Sequence, residues 1–298
     1  MSAHRAGFVA LIGRPNVGKS TLLNAMLGEK LSIVSPKPQT TRHRIVGVLT
    51  RPEFQIALVD TPGLHRGAKR RLNQYMNRAA ATSLADADLI AFVVEALRFT
   101  EEDAAVLTRI RESGRPAVLI VNKVDRAKPR ARLLPFLADL AARFEFRDVV
   151  PLSARSREDA ARLPALLAAQ LPESPALYPP ETLTDRPERF RASEIIREKL
   201  TLRLQKELPY GLSVEIERVE PTEDGRLALS AVIWVERPSQ KAIVIGEGGA
   251  VLKEVGRSAR LELNRLFGRR VHLELWVKVK QNWADSDSAL RSLGYEGA

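Results

Sequence analysis

A chain of 298 residues that is 45% apolar can bury a full core and has room for two domains. No apolar run reaches the roughly 18 residues of a membrane-spanning helix, the start lacks a signal-peptide pattern, and zero cysteines exclude disulfides and thiolate metal sites, so the expected location is intracellular. The net charge of +11 points to a polyanionic partner. Its distribution is uneven: residues 1–180 carry 27 Lys and Arg against 17 Asp and Glu, residues 181–298 carry 20 against 19, and the stretch 237–280 has 10 against 4.

Phe8-Val9-Ala10-Leu11-Ile12 reads as a buried strand. It is followed by Gly13-Arg14-Pro15-Asn16-Val17-Gly18-Lys19-Ser20 and then by a helix from Thr21 to Leu27 ended by Gly28. Strand, glycine-rich turn and helix start are the context of a phosphate-binding loop. Its backbone N–H groups converge on one concavity and the helix N-terminus adds partial positive charge. On this reading residues Asn16, Val17, Gly18, Lys19, Ser20 and Thr21 cradle a nucleotide. Lys19 reaches the β/γ-phosphates and Ser20 offers a hydroxyl to Mg²⁺.

Residues 29–50 hold Pro36, Pro38 and Gln39-Thr40-Thr41-Arg42-His43-Arg44, a polar loop of the kind that carries a Mg²⁺-binding Thr in nucleotide switches. Thr41 is the expected ligand, with Thr40 as the alternative. The strand Phe54–Val59 ends at Asp60-Thr61-Pro62-Gly63, which puts a carboxylate where a Mg²⁺ ligand belongs and a bare backbone N–H, at Gly63, near the γ-phosphate. Lys19, Thr41, Asp60 and Gly63 are the expected catalytic set, and the basic residues 64–78 suit a second switch.

Apolar runs at 89–95 and 117–121, joined by the helical spacing of Thr100–Ser113, read as buried parallel strands. The second ends at Asn122-Lys123-Val124-Asp125. Asp125 can accept both N1–H and N2–H of guanine while the Lys123 stem lies on the purine, and adenine would leave the carboxylate unpaired. The strand Val149–Leu152 leads to Ser153-Ala154-Arg155, whose backbone can reach the guanine carbonyl. Asn122 and Asp125 are the expected guanine-selecting residues, and GTP is therefore the expected substrate.

In this order and at these strand ends, the motifs make residues 7–171 similar to the TRAFAC-type GTPases. The fold expected is an α/β P-loop domain, a mostly parallel sheet with helices on both faces. Leu64 stands where Ras-like enzymes place a water-orienting Gln. An apolar side chain cannot orient water, so slow intrinsic hydrolysis is expected, at or below the ~10⁻⁴ s⁻¹ scale of unaided small GTPases. Asn16 resembles the phosphate-loop Asn that binds K⁺ in potassium-activated relatives.

Five prolines between Pro172 and Pro187 mark a semi-rigid linker, dividing a GTPase domain (1–171) from a second domain (188–298). That domain reads as a helix over about 188–207, alternating strands Leu212–Val219 and Leu227–Val235, a helix pair around Gly246-Glu247-Gly248-Gly249, and a last strand Val271–Val279. A helix pair joined by Gly-x-x-Gly is the KH module, whose loop clamps the backbone of four nucleotides. The order αββααβ is that of the α+β type II form. Gly246, Glu247, Gly248, Gly249, Lys253 and Arg257 are the expected RNA contacts, with Glu247 acidic where many relatives are basic.

A GTPase followed by a type II KH domain resembles the Era family of bacterial ribosome-assembly GTPases. Gln39–Gly47, Asp60–His65 and Leu275–Lys280 carry the likeness, which covers essentially the whole chain. The resemblance implies a soluble cytoplasmic protein, sometimes associated peripherally with the inner membrane, that binds single-stranded rRNA near the 3′ end of the small-subunit RNA and has a GTP-gated role in assembly of the small ribosomal subunit. A membrane-surface signalling switch and a GTP-using tRNA-modification enzyme are the competing readings. The second lacks a Cys nucleophile or metal cluster in this sequence.

Overall fold

A computed structural model describes residues 4–37, 40–63, 70–204 and 208–295. The chain divides into two units: residues 1–68 with 76–185, and residues 186–298 with 69–75.

The first unit contains β1 (Arg5–Ile12), α1 (Lys19–Leu27), β2 (Ile45–Arg51), β3 (Phe54–Asp60), most of α2 (Arg71–Asp86), β4 (Leu89–Glu95), α3 (Glu101–Ser113), β5 (Ala117–Asn122), α4 (Leu133–Ala141), β6 (Asp148–Pro151) and α5 (Arg157–Ala168). The six strands lie in the order β2-β3-β1-β4-β5-β6, all parallel except the edge pair β2–β3. β4 and β5 are unbroken apolar runs because both of their faces are covered; Ile90, Phe92, Leu119 and Val121 are fully buried. After β1 the chain turns to β2 and β3 on one side and then crosses to β4 on the other. The carboxyl end of β1 is therefore a topological switch point, where open α/β sheets bind ligands.

The proline-rich stretch lies along this same sheet. Pro172 accepts from Ala6 N, Gln55 Oε1 accepts from Leu177 N and Tyr178 N at 2.7 and 2.8 Å, and Leu183 accepts from Val48 N at 2.8 Å. Backbone that prolines keep out of helices is here satisfied by a strand edge.

In the second unit, α6 (Glu188–Arg203), β7 (Leu212–Pro221), β8 (Leu227–Val235), α7 (Pro238–Ile245), α8 (Ala250–Leu266) and β9 (Val271–Val279) reproduce the αββααβ order, followed by α9 (Asp287–Ser292). β8 is central, antiparallel to β7 and parallel to β9. Alternate residues of β8 (Leu229, Ala231, Ile233) face Ile196 and Leu200 of α6 and Val255 and Leu263 of α8 in one apolar core. The expected α/β P-loop fold followed by a KH fold is the fold observed.

Candidate functional site

The carboxyl ends of β1, β3, β5 and β6 deliver the loops that line one cavity of about 460 Å³. At one end sits the first turn of α1. Gly18 adopts φ 106°, and a Cβ there would lie 2.3 Å from Asn122 Nδ2, so only glycine closes this turn. Lys19 folds back over the loop, and its ammonium donates to the carbonyls of Gly13 (2.9 Å) and Arg14 (3.1 Å). Burial pulls its pKa down from 10.5 to about 8, against the raising pull of Asp60.

Ser20, Ser32 and Thr41 converge on one oxygen of Asp60. Ser20 Oγ and Ser32 Oγ each donate to Oδ2 at 2.7 Å and Thr41 Oγ1 does so at 3.2 Å, with Ser20 and Thr41 2.9 Å apart. Thr40 turns elsewhere, to the Lys37 carbonyl and Ser35 Oγ, so of the two candidates Thr41 faces the carboxylate. Asp60 is fully buried, burial pushes its carboxyl up, and its second oxygen, Oδ1, has no hydrogen-bond partner among the described residues. An unpaired buried carboxylate oxygen among hydroxyls is a donor set for a hard divalent cation. Among the described residues no group of three or more His, Cys, Asp or Glu is placed to hold a metal ion.

At the other end, Asn122 ties three segments together. Its Nδ2 donates to the Val17 carbonyl at 2.8 Å, and its Oδ1 accepts from Lys123 N (2.7 Å) and Ala154 N (2.9 Å). Lys123 Nζ donates to the Asn16 carbonyl at 2.7 Å. Asp125 lies exposed on the cavity wall with Ser153, Ala154, Thr21 and Gly63. Asn16 has φ 63° and its amide donates to the Pro36 carbonyl at 2.9 Å. Leu64 lies outside the described residues, as does Gln39.

The sequence reading missed a charged network beneath this cavity. Arg14, almost fully buried, donates from Nη2 to Glu95 (2.9 Å) and from Nε to Asp103 (3.0 Å), and Glu95 also pairs with Lys123 at 3.2 Å. Partial burial alone would raise Glu95, but the hydrogen bonds from Arg14 and Lys123 hold its carboxyl below the usual range. Asp103 also caps α3 through Thr100 N and Oγ1, a Thr-x-x-Asp spacing visible in the sequence.

In the second unit Gly246 (φ 76°, ψ 169°), Gly248 (φ 56°) and Gly249 (φ 78°) make the turn between α7 and α8. Side chains at Gly248 and Gly249 would meet nothing within 4 Å, so the backbone there is open to close approach. Glu247, Lys253 and Arg257 are exposed, the last two one helical turn apart on α8. Ile243, in the Ile-Val-Ile-Gly run that leads into the turn, is 56% exposed.

A family model described as 50S ribosome-binding GTPase matches residues 8–123, and one described as KH domain matches residues 207–284. The GTPase Era of Stenotrophomonas maltophilia (strain R551-3) is 52% identical over 294 residues, 98% of each chain; that of Xanthomonas axonopodis pv. citri is 52% identical over 99% of this chain and 98% of its own. The chain belongs to the Era GTPase family. Two solved Era structures superpose over 98% of this chain and 99% of their own. One, a complex with MgGDPNP and nucleotides 1506–1542 of 16S ribosomal RNA, has a TM-score of 0.94 at 38% identity. The other, an Aquifex aeolicus Era variant bound to GDP and AlF₄⁻, has a TM-score of 0.93 at 37% identity.

Proposed function

We propose that this Era-family chain hydrolyses Mg²⁺-bound GTP and uses its KH unit to hold single-stranded rRNA at the 3′ end of the small-subunit RNA during assembly of that subunit. The observation that carries the reading is one cavity with Lys19, Ser20 and Thr41 at one end, the two hydroxyls backed by buried Asp60, and Asn122, Lys123 and Asp125 at the other. Domain 1–171 does the chemistry, 172–187 connects, and 188–298 binds RNA.

Asp125 accepts the guanine N1–H and N2–H, and the guanine carbonyl shares the Ala154 N–H that Asn122 now holds. Gly63 N–H and the Lys19 ammonium meet the charge that develops on the γ-phosphoryl oxygens, in a site whose burial strengthens each contact. Ser20, Thr41 and Asp60 would hold Mg²⁺, which when bound would neutralise phosphate charge. Residues 16–21 fix the phosphates through backbone N–H groups. Turnover is slow because Leu64 cannot orient the attacking water. The Asn16 carboxamide oxygen is the candidate K⁺ donor, tested by comparing rates in KCl and NaCl. Gly246, Glu247, Gly248 and Gly249 line the RNA backbone, with Lys253 and Arg257 taking its charge.

The protein acts in the cytoplasm. A peripheral membrane attachment rests on the family resemblance alone; among the described residues no helix is long and apolar enough to cross a membrane. Pelleting with anionic vesicles tests that attachment.

The experiment for the main reading is the affinity for an RNA matching the 3′ tail, at two salt concentrations, with a GTP analogue and with GDP, for wild type and Gly249→Asp. Tight binding in the GTP form that is lost in GDP and in the variant supports a nucleotide-gated clamp. Weak binding that ignores both and falls steeply with salt would mean unspecific phosphate attraction and reject it.

A further inference from the structure

The excess positive charge of the first 180 residues is not used by the nucleotide site, where Lys19 and Lys123 are engaged by backbone carbonyls. We propose that the loop following the guanine-selecting strand is a second RNA contact, made to the phosphodiester backbone by Arg126, Lys128, Arg130 and Arg132. This rests on the RNA-binding reading above and extends it from the KH unit to the GTPase unit.

Four cations occupy seven consecutive positions, and all four are exposed. Among the described residues none of them has a carboxylate within ion-pair distance. The next carboxylate along the chain, Asp139, is taken by Arg143 at 2.9 Å, and Asp125 faces the nucleotide cavity. The backbone that carries them is fixed by two 3₁₀ turns, Val124–Arg126 and Arg130–Arg132, closed by Ala127 N to the Val124 carbonyl (3.1 Å) and Arg132 N to the Pro129 carbonyl (3.1 Å). Ala127 is buried between the turns, and Leu133 packs against the core beyond them. The cations thus stand on an ordered base, which lowers the entropy lost on binding.

Three of the four are arginines, whose planar fork bonds phosphate bidentately and is less strongly hydrated than an ammonium. Arg126 and Arg155 both border the base end of the nucleotide cavity, the end opposite Lys19. The nucleotide's own phosphates therefore do not account for this patch. A lipid surface fits it poorly, because α4 next to it keeps Phe136, Leu137 and Leu140 packed on the sheet core and leaves only Leu134 of its large apolar residues well exposed. A phosphodiester chain needs no apolar partner and meets a line of cations at rigid spacing.

The test replaces Lys128, Arg130 and Arg132 by Gln together; Arg126 is left because it borders the nucleotide cavity. Unchanged GDP affinity and melting temperature show that the fold is retained. Binding is titrated between 50 and 200 mM salt with a 3′-tail RNA of about 40 nucleotides and with one of about eight, long enough for the KH loop alone. Three lost phosphate contacts on single-stranded RNA flatten the log–log salt slope by about 2, so over that range wild type loses about 20-fold more affinity than the variant. This is expected on the long RNA and not on the short one, and the Lys128–Arg130→Lys–Arg132→Lys form, which keeps the charge, restores the slope. An unchanged slope on the long RNA overturns the proposal. So does an unchanged slope together with loss of binding to phosphatidylglycerol vesicles, which assigns the patch to lipid. A flattened slope that persists when Gly249→Asp has no effect keeps this contact and removes the KH reading instead.

Discussion

Replacing Asn122 by Ala separates what this side chain does from what its motif suggests. Asn122 is 2% exposed and makes three short bonds, to the Val17 carbonyl, Lys123 N–H and Ala154 N–H. None of these atoms belongs to a base. The truncation leaves three backbone groups to find water, at about 1 kcal/mol net for each hydrogen bond. Each strand before these groups remains paired in the sheet, so the fold survives and the cost falls on nucleotide binding, which needs all three loops in register. A loss of about 2–3 kcal/mol weakens GDP about 30- to 150-fold. Because the lost bonds hold the phosphate loop as well as the base loop, ADP weakens by a similar factor and the GDP/ADP ratio stays within about threefold. Calorimetric titration of both nucleotides checks this, with a thermal melt to verify folding. GDP affinity within threefold of wild type would refute the positioning role. A collapsed ratio with ADP unchanged would mean that Asn122 reads guanine directly.

Lys19 should impose a pH dependence. Its pKa near 8 in the free protein lies below the ordinary 10.5, so between those values the unfolded chain holds a proton that the folded one has released. The burial penalty is full below pH 8, and stability gains up to about 3 kcal/mol as pH rises through this window. Urea denaturation of wild type against Lys19→Met shows the gain only in wild type. Phosphate favours the charged amine, so GDP affinity falls above pH 8, and Lys19→Arg removes that part of the fall. Asp60→Asn removes the charge that draws the cation, and the Mg²⁺ concentration for half-maximal GTP turnover should rise at least tenfold; no rise would place the metal elsewhere. Gly246→Ala sets a Cβ 2.5 Å from Val251 Cγ2 at a φ/ψ that is essentially glycine-only and should cost the KH unit about 2–3 kcal/mol. Gly248→Ala, in open left-handed space, should cost about 1 kcal/mol. Equal costs would contradict the geometry.

The fold was legible because its signals are local. The β1–turn–α1 unit, the unbroken apolar strands and the alternation in β7 and β8 each declare themselves within about ten residues, and the KH order follows from their sequence. The cavity was legible for a related reason: parallel strands deliver successive loops to one edge, so motifs at strand ends must meet. What stayed hidden depends on long separation. Arg14 finds Asp103 across 89 residues and Glu95 across 81, and nothing in either neighbourhood marks the pairing. Proline content identified 172–187 as non-helical, yet Gln55 and Val48, more than a hundred residues earlier, are what receive it. The cations at 126–132 stand at every second position, yet the segment forms turns rather than a strand, and their lack of carboxylate partners among the described residues is a property of the folded surface.

The polar contacts of Asp60 link the cation site to the loop that bears Thr41. Ser32 and Thr41 both belong to the segment between α1 and β2, and both donate to the same buried carboxylate oxygen. Burial makes the charge at Asp60 costly, and the hydroxyls offset that cost at Oδ2 while Oδ1 has none. A divalent cation held by Asp60, as proposed above, would stabilise the ionised carboxylate, which is the form that accepts hydrogen bonds from Ser32 and Thr41. Such a cation would favour the docked loop without needing to touch all of it. By linkage the docked loop raises cation affinity by the same factor, so a protein built this way reads the phosphate-bound metal and the position of its loop as one event.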